Sequence, residues 1–184
     1  MRRGSAPIVS QQDLRPLETI IFKIQIGVPG TLVITSRPRG SDWLDDDIAA
    51  LAAQGVGVLV SLLSTDEQVE LGLEGEAAAC GAHNVEFVAL PVPDLGAPIN
   101  SNEFVQAAQR LAGLLRTGKH VAVHCRQSVG RSGLLAVSIA VVTGIPLEAA
   151  IEAVTAARGV RVPETAVQNE WLQRNVDQLS RLAG

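Results

Sequence analysis

Basic residues are in short supply in this chain of 184 residues. Fifteen Lys and Arg stand against nineteen Asp and Glu, a formal net charge of −4. That balance argues against a nucleic-acid-binding surface, which is usually basic, and against a polybasic membrane anchor. Cysteine is nearly absent: Cys80 and Cys125 are the only two. No secreted disulfide framework is implied, and a reactive thiol needs a reducing compartment. No apolar run is long and uninterrupted enough to span a bilayer. Arg2 and Arg3 are followed by no apolar stretch, so no signal peptide is expected. No His/Asp/Glu cluster has metal-ligand spacing, so neither a metal nor another cofactor is expected. Repeats and low-complexity tracts are missing too. The expectation is a cytoplasmic monomer with no nucleic-acid or membrane partner.

What is present is a large apolar fraction, 47% of residues, ample for the core of one globular domain. Residues 1–18 lack periodicity and read as a flexible N-terminal arm; residues 19–184 read as a single domain. Ile20, Phe22, Ile24 and Ile26 alternate at strand spacing, Pro29-Gly30 marks a turn, and Thr31–Thr35 reads as a second strand, the pair forming a hairpin at a sheet edge. Ser41 or Asp42 is placed to cap a helix through about Gln54, with Asp45, Asp46 and Asp47 in its first turn. Val56–Leu63 is a continuous apolar run, as for a strand buried on both faces. Thr65 is read as the cap of one helix to about Cys80. Val85–Leu90 is the next strand, Ser101 to Arg116 a helix ended by Gly118, and Lys119–His124 another strand. Leu134–Val142 is apolar all round and predicts a central helix. Pro146 starts a further helix with Leu147, Ala150, Ile151 and Val154 on one face, and Pro163 or Glu164 opens a last one to about Leu182. Alternating strands and helices predict an α/β fold, a mostly parallel central sheet flanked by helices.

The chemistry concentrates in Val121-Ala-Val-His-Cys-Arg-Gln-Ser-Val-Gly-Arg-Ser-Gly133. A strand ends in His124-Cys125, a tight loop carries Arg126, Gln127, Ser128, Val129 and Gly130 to Arg131, Ser132 and Gly133 follow, and the helical stretch begins at Leu134. Such a loop turns backbone N–H groups inward as an anion nest, and the helix behind it adds free N–H groups and the positive end of its dipole. A thiolate is favoured in that field. An arginine at the far end can grip two phosphate oxygens at once.

The segment resembles the HC-x5-R-[S/T] signature of the protein tyrosine phosphatase superfamily, and the chain is similar to the small dual-specificity branch over most of residues 30–180. The resemblance implies a cysteine phosphatase in which Cys125 attacks phosphorus to form a phosphocysteine, the loop from Arg126 to Arg131 binds phosphate, His124 orders the loop, and Ser132 eases departure of the sulfur. A general acid is also needed. Val88-Ala-Leu-Pro-Val-Pro-Asp94-Leu-Gly-Ala-Pro98 sets one carboxylate among prolines and a glycine just after a strand, and resembles the branch's acid loop, so Asp94 takes that role. Gln168 resembles a glutamine that orders the attacking water; its alternative is an exposed helix position. Arg158 and Arg161 are read as solvated surface, and His83 and His120 as surface or satisfied core residues. Cys80, in Ala77-Ala-Ala-Cys80, reads as the buried face of a helix rather than a redox partner of Cys125. In many relatives the third residue after the cysteine is Gly; here it is Ser128, which puts the pocket's shape in question.

The chain has no Tyr and 3% aromatics. Together with its shortness this implies a shallow pocket open to phosphotyrosine, phosphoserine and phosphothreonine on proteins or to a small phosphate ester. Only Arg126 is basic between Cys125 and Arg131, which disfavours a phosphoinositide substrate without excluding it. A rhodanese-like sulfurtransferase, which would not need Asp94, and a catalytically weak phosphopeptide-binding module remain as alternatives.

Overall fold

The computed structural model describes residues 19–181, so the arm expected over residues 1–18 lies outside the described residues. Five strands form one sheet: β1 (Ile21–Ile24), β2 (Leu32–Thr35), β3 (Val56–Ser61), β4 (Glu86–Ala89) and β5 (His120–His124), in the order β1-β2-β5-β3-β4. β1 pairs antiparallel with β2, and the remaining pairs are parallel. The predicted edge hairpin and the mostly parallel sheet are therefore both found. Central β3 is buried along almost its whole length, as its unbroken apolar sequence requires.

The helices are α1 (Leu44–Ala53), α2 (Thr65–Glu70), α3 (Glu76–Ala82), α4 (Ser101–Arg116), α5 (Gly130–Val142), α6 (Leu147–Arg158) and α7 (Ala166–Ser180). Strand alternation sorts the core into two clusters. Leu32, Ile34, Val58, Val60, Val121 and Val123 pack with α4, α5, α6 and α7; Val33, Leu59 and Ala122 pack with α1 and α3. All thirteen residues of α5 are buried, which explains its lack of a polar face.

Four helix boundaries differ from expectation: α5, expected from Leu134, already starts at Gly130, and three others follow. The helix predicted from Thr65 to Cys80 is two: Ser64, not Thr65, is the cap of α2, and the chain breaks at Gly72, whose φ of +66° is a left-handed conformation that glycine takes freely. A Cβ on Gly72 would lie 2.7 Å from Ser41 Oγ, so the break also lets the segment before α1 cross over it. That crossing occupies Ser41, whose N–H donates to Gly72 O (2.9 Å). Neither Ser41 nor Asp42 caps α1, which follows a short 3-10 turn (Ser41–Trp43) and has no side-chain cap. The last helix is capped by Thr165 rather than opened by Pro163 or Glu164.

The parallel arrangement brings the carboxyl ends of β3, β4 and β5 to one rim, where the segments that follow carry Glu67 (on α2), Asp94 and Cys125. That is where open parallel sheets place ligands.

Candidate active site

Cys125 follows the last residue of β5 and is buried among the apolar residues under α5. Its Sγ accepts the Ser128 N–H (3.2 Å) and lies 3.4 Å from Ser132 Oγ. The helix begins at Gly130, so Arg131 and Ser132 stand in its first turn, where backbone N–H groups have no partner within the helix. The sulfur thus sits inside the predicted nest, with a hydroxyl in contact.

Ser128 adopts φ +57°, which explains why glycine suits this position. The serine is held there by three ties. Besides the bond from its N–H to Sγ, its hydroxyl donates to Thr35 O (2.5 Å), and its carbonyl accepts Arg158 Nε (2.6 Å). Arg158 is accordingly not the solvated surface residue the sequence suggested. Its guanidinium lies 3.7 Å over the Phe22 ring, and burial lowers its pKa while the negative charge of Cys125 opposes that shift. Arg161 is exposed, as expected.

Arg131 is 2% exposed and heavily bonded. Nη1 and Nη2 donate to the two carboxylate oxygens of Glu67 at 2.7 and 2.8 Å, the fork geometry that lysine cannot make. Nη1 also donates to Val92 O (3.2 Å). Nη2 lies 3.0 Å from Asp94 Oδ1, so the arginine links the loops after β3, β4 and β5. The Arg131 bond holds the Glu67 carboxyl down to about 2, against the opposing effect of burial. Burial works to lower the Arg131 pKa, but Glu67 and the negative charges of Cys125 and Asp94 outweigh it and raise it. Glu67, two residues after the expected cap Thr65, was given no site role from the sequence. The visible signal was the spacing Ser64-x-x-Glu67, a capping box that is present here: Ser64 N–H donates to Glu67 Oε2 (3.0 Å) and Glu67 N–H to Ser64 Oγ (3.2 Å).

His124 points to the other face of the sheet from Cys125, as strand alternation demands. Its Nε2 lies 2.8 Å from Glu76 Oε1, both side chains essentially inaccessible. No sequence pattern announced Glu76 as the neighbour of His124. Arg126 turns outward and donates to both oxygens of Glu70 (2.8 and 2.5 Å). Gln127 is exposed, and Val129 is half buried against the core.

Gln168 is not an exposed helix residue: it is fully buried at the start of α7. Its Oε1 accepts the N–H groups of Glu164 (3.1 Å) and Thr165 (3.3 Å), and its Nε2 donates to Gly96 O (3.0 Å) in the Asp94 loop. A Cβ on Gly130 would lie 2.8 Å from Glu164 Oε2 and 3.1 Å from Gln168 Nε2, so glycine lets α7 seat against the cysteine loop.

Asp94, Leu95, Cys125, Arg126, Gln127, Gly130, Arg131, Glu164 and Gln168 line one cavity of about 160 Å³. Asp94 is 62% exposed at its mouth. Beside it a wider groove of about 410 Å³ shares Arg126 and Gln127 and adds Arg37 and Arg39.

The remaining candidates fall where the sequence put them. His83 Nε2 lies 2.9 Å from Asp45 Oδ1 at the surface, and His120 Nδ1 accepts the Thr31 N–H (2.9 Å). Cys80 is buried on α3 in the cluster on the opposite sheet face from Cys125, and burial, helped by the Glu76 charge, pushes its thiol up to about 12. Among the described residues, no group of three His, Cys, Asp or Glu side chains is placed to hold a metal ion. No described helix is long and apolar enough to cross a membrane.

A family model described as a polymorphic toxin system DSP-PTPase phosphatase matches residues 33–145. No curated protein matches the chain in sequence. Several solved structures share its fold. A kinase associated phosphatase with serine at its catalytic-site cysteine aligns at TM-score 0.79 and 16% identity, over 91% of this chain and 99% of that one. The active form of Tk-PTP aligns at 0.70 and 23%, over 85% and 97%. PTPMT1 in complex with PI(5)P aligns at 0.71 and 18%, over 89% and 99%.

Proposed function

The chain belongs to the DSP-PTPase phosphatase family of polymorphic toxin systems, and from that membership we propose that it hydrolyses phosphomonoesters through a phosphocysteine on Cys125. One observation carries the reading: a buried cysteine sulfur, an anchored arginine and an exposed aspartate converge on a single small cavity.

The phosphoryl group enters that cavity, its oxygens taken by the loop N–H groups from Arg126 to Arg131 and by the Arg131 guanidinium. The Cys125 thiolate attacks phosphorus, the bond to the leaving oxygen breaks, and Asp94 gives that oxygen its proton. Asp94 then takes a proton from water as the water attacks the phosphocysteine, and inorganic phosphate leaves. The Ser132 hydroxyl, already in contact with Sγ, stabilises the departing thiolate. His124 does its part from beneath the loop, tied to Glu76. A water-ordering role for Gln168 finds less support, because its amide is already committed to three backbone groups.

The cavity is smaller than the ~300–1,000 Å³ of sites that engulf a drug-sized ligand, which favours a phosphoryl group presented from outside over a deeply swallowed ring. Phosphotyrosine, phosphoserine and phosphothreonine on proteins, or small phosphate esters, suit that geometry. A second reading is a phosphoinositide or other polyanionic ester, favoured by Arg37 in the adjoining groove, where Arg39 is paired with Asp47 and Arg126 with Glu70. We place residues 19–184 in one catalytic domain, monomeric and cytoplasmic.

The test is hydrolysis of 4-nitrophenyl phosphate with EDTA present. Wild type is expected to be active and Cys125→Ser inactive; activity surviving in Cys125→Ser would remove the nucleophile. Release of phosphate from phosphopeptides against soluble inositol phosphates then separates the two substrate readings.

A further inference from the structure

Asp94 sits in a turn whose backbone is strained. Leu95, the residue after it, adopts φ +55°, a left-handed conformation that a branched side chain avoids. Leu95 is also 57% exposed, so burial of its own side chain does not hold it there. The turn is closed by Gly96 N–H donating to Pro93 O (3.0 Å). A strained turn of this kind persists only where its surroundings over-determine it.

Those surroundings are the first residues of α7. Thr165 Oγ1 donates to Leu95 O (3.1 Å), and Gln168 Nε2 donates to Gly96 O (3.0 Å). The two side chains are locked to each other by the helix cap: Gln168 N–H donates to Thr165 Oγ1 (3.3 Å), and Thr165 N–H to Gln168 Oε1 (3.3 Å). The same cap presses on the cysteine loop at Gly130, where an added Cβ would meet Glu164 and Gln168. One rigid feature therefore touches both halves of the site. From the other side Arg131 holds Val92 O and Asp94.

We propose that Thr165 and Gln168 are positioning residues for proton transfer: the cap of α7 holds the Asp94–Gly96 turn over the phosphate cavity and sets the distance from Asp94 to the leaving oxygen. The inference rests on the assignment of Asp94 as the acid. A side chain that matters only for helix stability would, once the protein is folded, scale all substrates alike. A side chain that places the acid matters most where the leaving oxygen most needs a proton.

The experiment uses the full chain with 4-nitrophenyl phosphate, whose leaving group is good, and phenyl phosphate, whose leaving group is poor, under conditions where circular dichroism shows each variant folded. Thr165→Val keeps the shape and removes the hydroxyl. Gln168→Glu keeps the acceptor that caps the helix and removes the donor to Gly96. For both, kcat/KM is expected to fall about 10-fold more with phenyl phosphate than with 4-nitrophenyl phosphate, a share of the ~10²–10⁴ that a placed acid contributes. Thr165→Ser, which retains the hydroxyl, is expected to restore the phenyl phosphate rate. Equal losses on the two esters, or a Thr165→Ser variant as impaired as Thr165→Val, would overturn the proposal. Should Thr165→Val not fold, Gln168→Glu decides alone. Cys125→Ser and Asp94→Asn run alongside. If Cys125→Ser is active, the phosphatase mechanism fails; if Asp94→Asn is unselective, the acid assignment fails. If both controls behave as expected, equal losses in the cap variants tell against the clamp only.

Discussion

Ser128 holds a left-handed backbone without being glycine, and its hydroxyl is what offsets the strain. The bond to Thr35 O ties the cysteine loop to the end of β2, far away in sequence. Ser128→Ala is expected to lose about 1 kcal/mol or somewhat more in urea denaturation, the net worth of a hydrogen bond. Ser128→Gly should lose less, because glycine takes the same φ freely; an Ala variant as stable as wild type would contradict this. Glu67 gives a pH dependence with a definite sign. Its folded pKa, about 2, lies below its ordinary 4.5, so its bond to Arg131 contributes stability that is fully present above 4.5 and is lost as pH falls through about 2. Glu67→Gln should therefore melt below wild type at neutral pH, and the gap should close between pH 4.5 and 2. Thermal unfolding across that range checks it, and a gap of constant size would count against the assignment. Cys125, Arg131, Ser132 and Asp94 were legible in the sequence because motif spacing fixes them locally. Glu76, Thr165 and the role of Arg158 were not, because each acts through a contact between segments distant in the chain.

Among the elements, β5 does two jobs through its period of two. Val121 and Val123 pack under α5, and His124 faces the other way to meet Glu76 on α3. Removing Glu76 leaves the buried His124 ring without the polar group it faces, so Glu76→Ala is expected to cost about 1–3 kcal/mol in denaturant unfolding. A loss under 1 kcal/mol would mean that His124 does not depend on Glu76. The apolar spacing of α5 and β3 announced their burial because both are covered on every side. The breaks in the segment from Thr65 to Cys80 were harder to read. Gly72 and Gly75 both stand there, yet a glycine within a helical pattern breaks it only when something must pass close by. Here that is the Gly40–Ser41 segment. The cap at Ser64 was displaced by one residue from the expected Thr65 because Ser64 has the capping-box partner, Glu67, at the required spacing.

At the scale of the whole molecule, β5 lies between β2 and β3, which puts the cysteine loop in the middle of the rim, with α2, carrying Glu67, and the Asp94 loop to one side of it. Alternation of strands and helices in the sequence implied the parallel sheet, but strand order follows from where the crossovers pack and is not written in any one segment. The division of labour across the rim predicts that Asp94→Asn slows phenyl phosphate hydrolysis much more than 4-nitrophenyl phosphate hydrolysis, by a share of the ~10²–10⁴ of general acid catalysis. Equal slowing would assign Asp94 to binding. The most direct measurement is a search for the covalent intermediate. Wild type and Cys125→Ser are mixed with 4-nitrophenyl phosphate, quenched within the first turnover, digested and read by mass spectrometry. One added phosphoryl group on the peptide containing Cys125 in wild type, and none in Cys125→Ser, is the expected result. An active wild-type sample that shows no phosphoryl group on Cys125 at any quench time, with Cys125→Ser equally active, would contradict the cysteine mechanism.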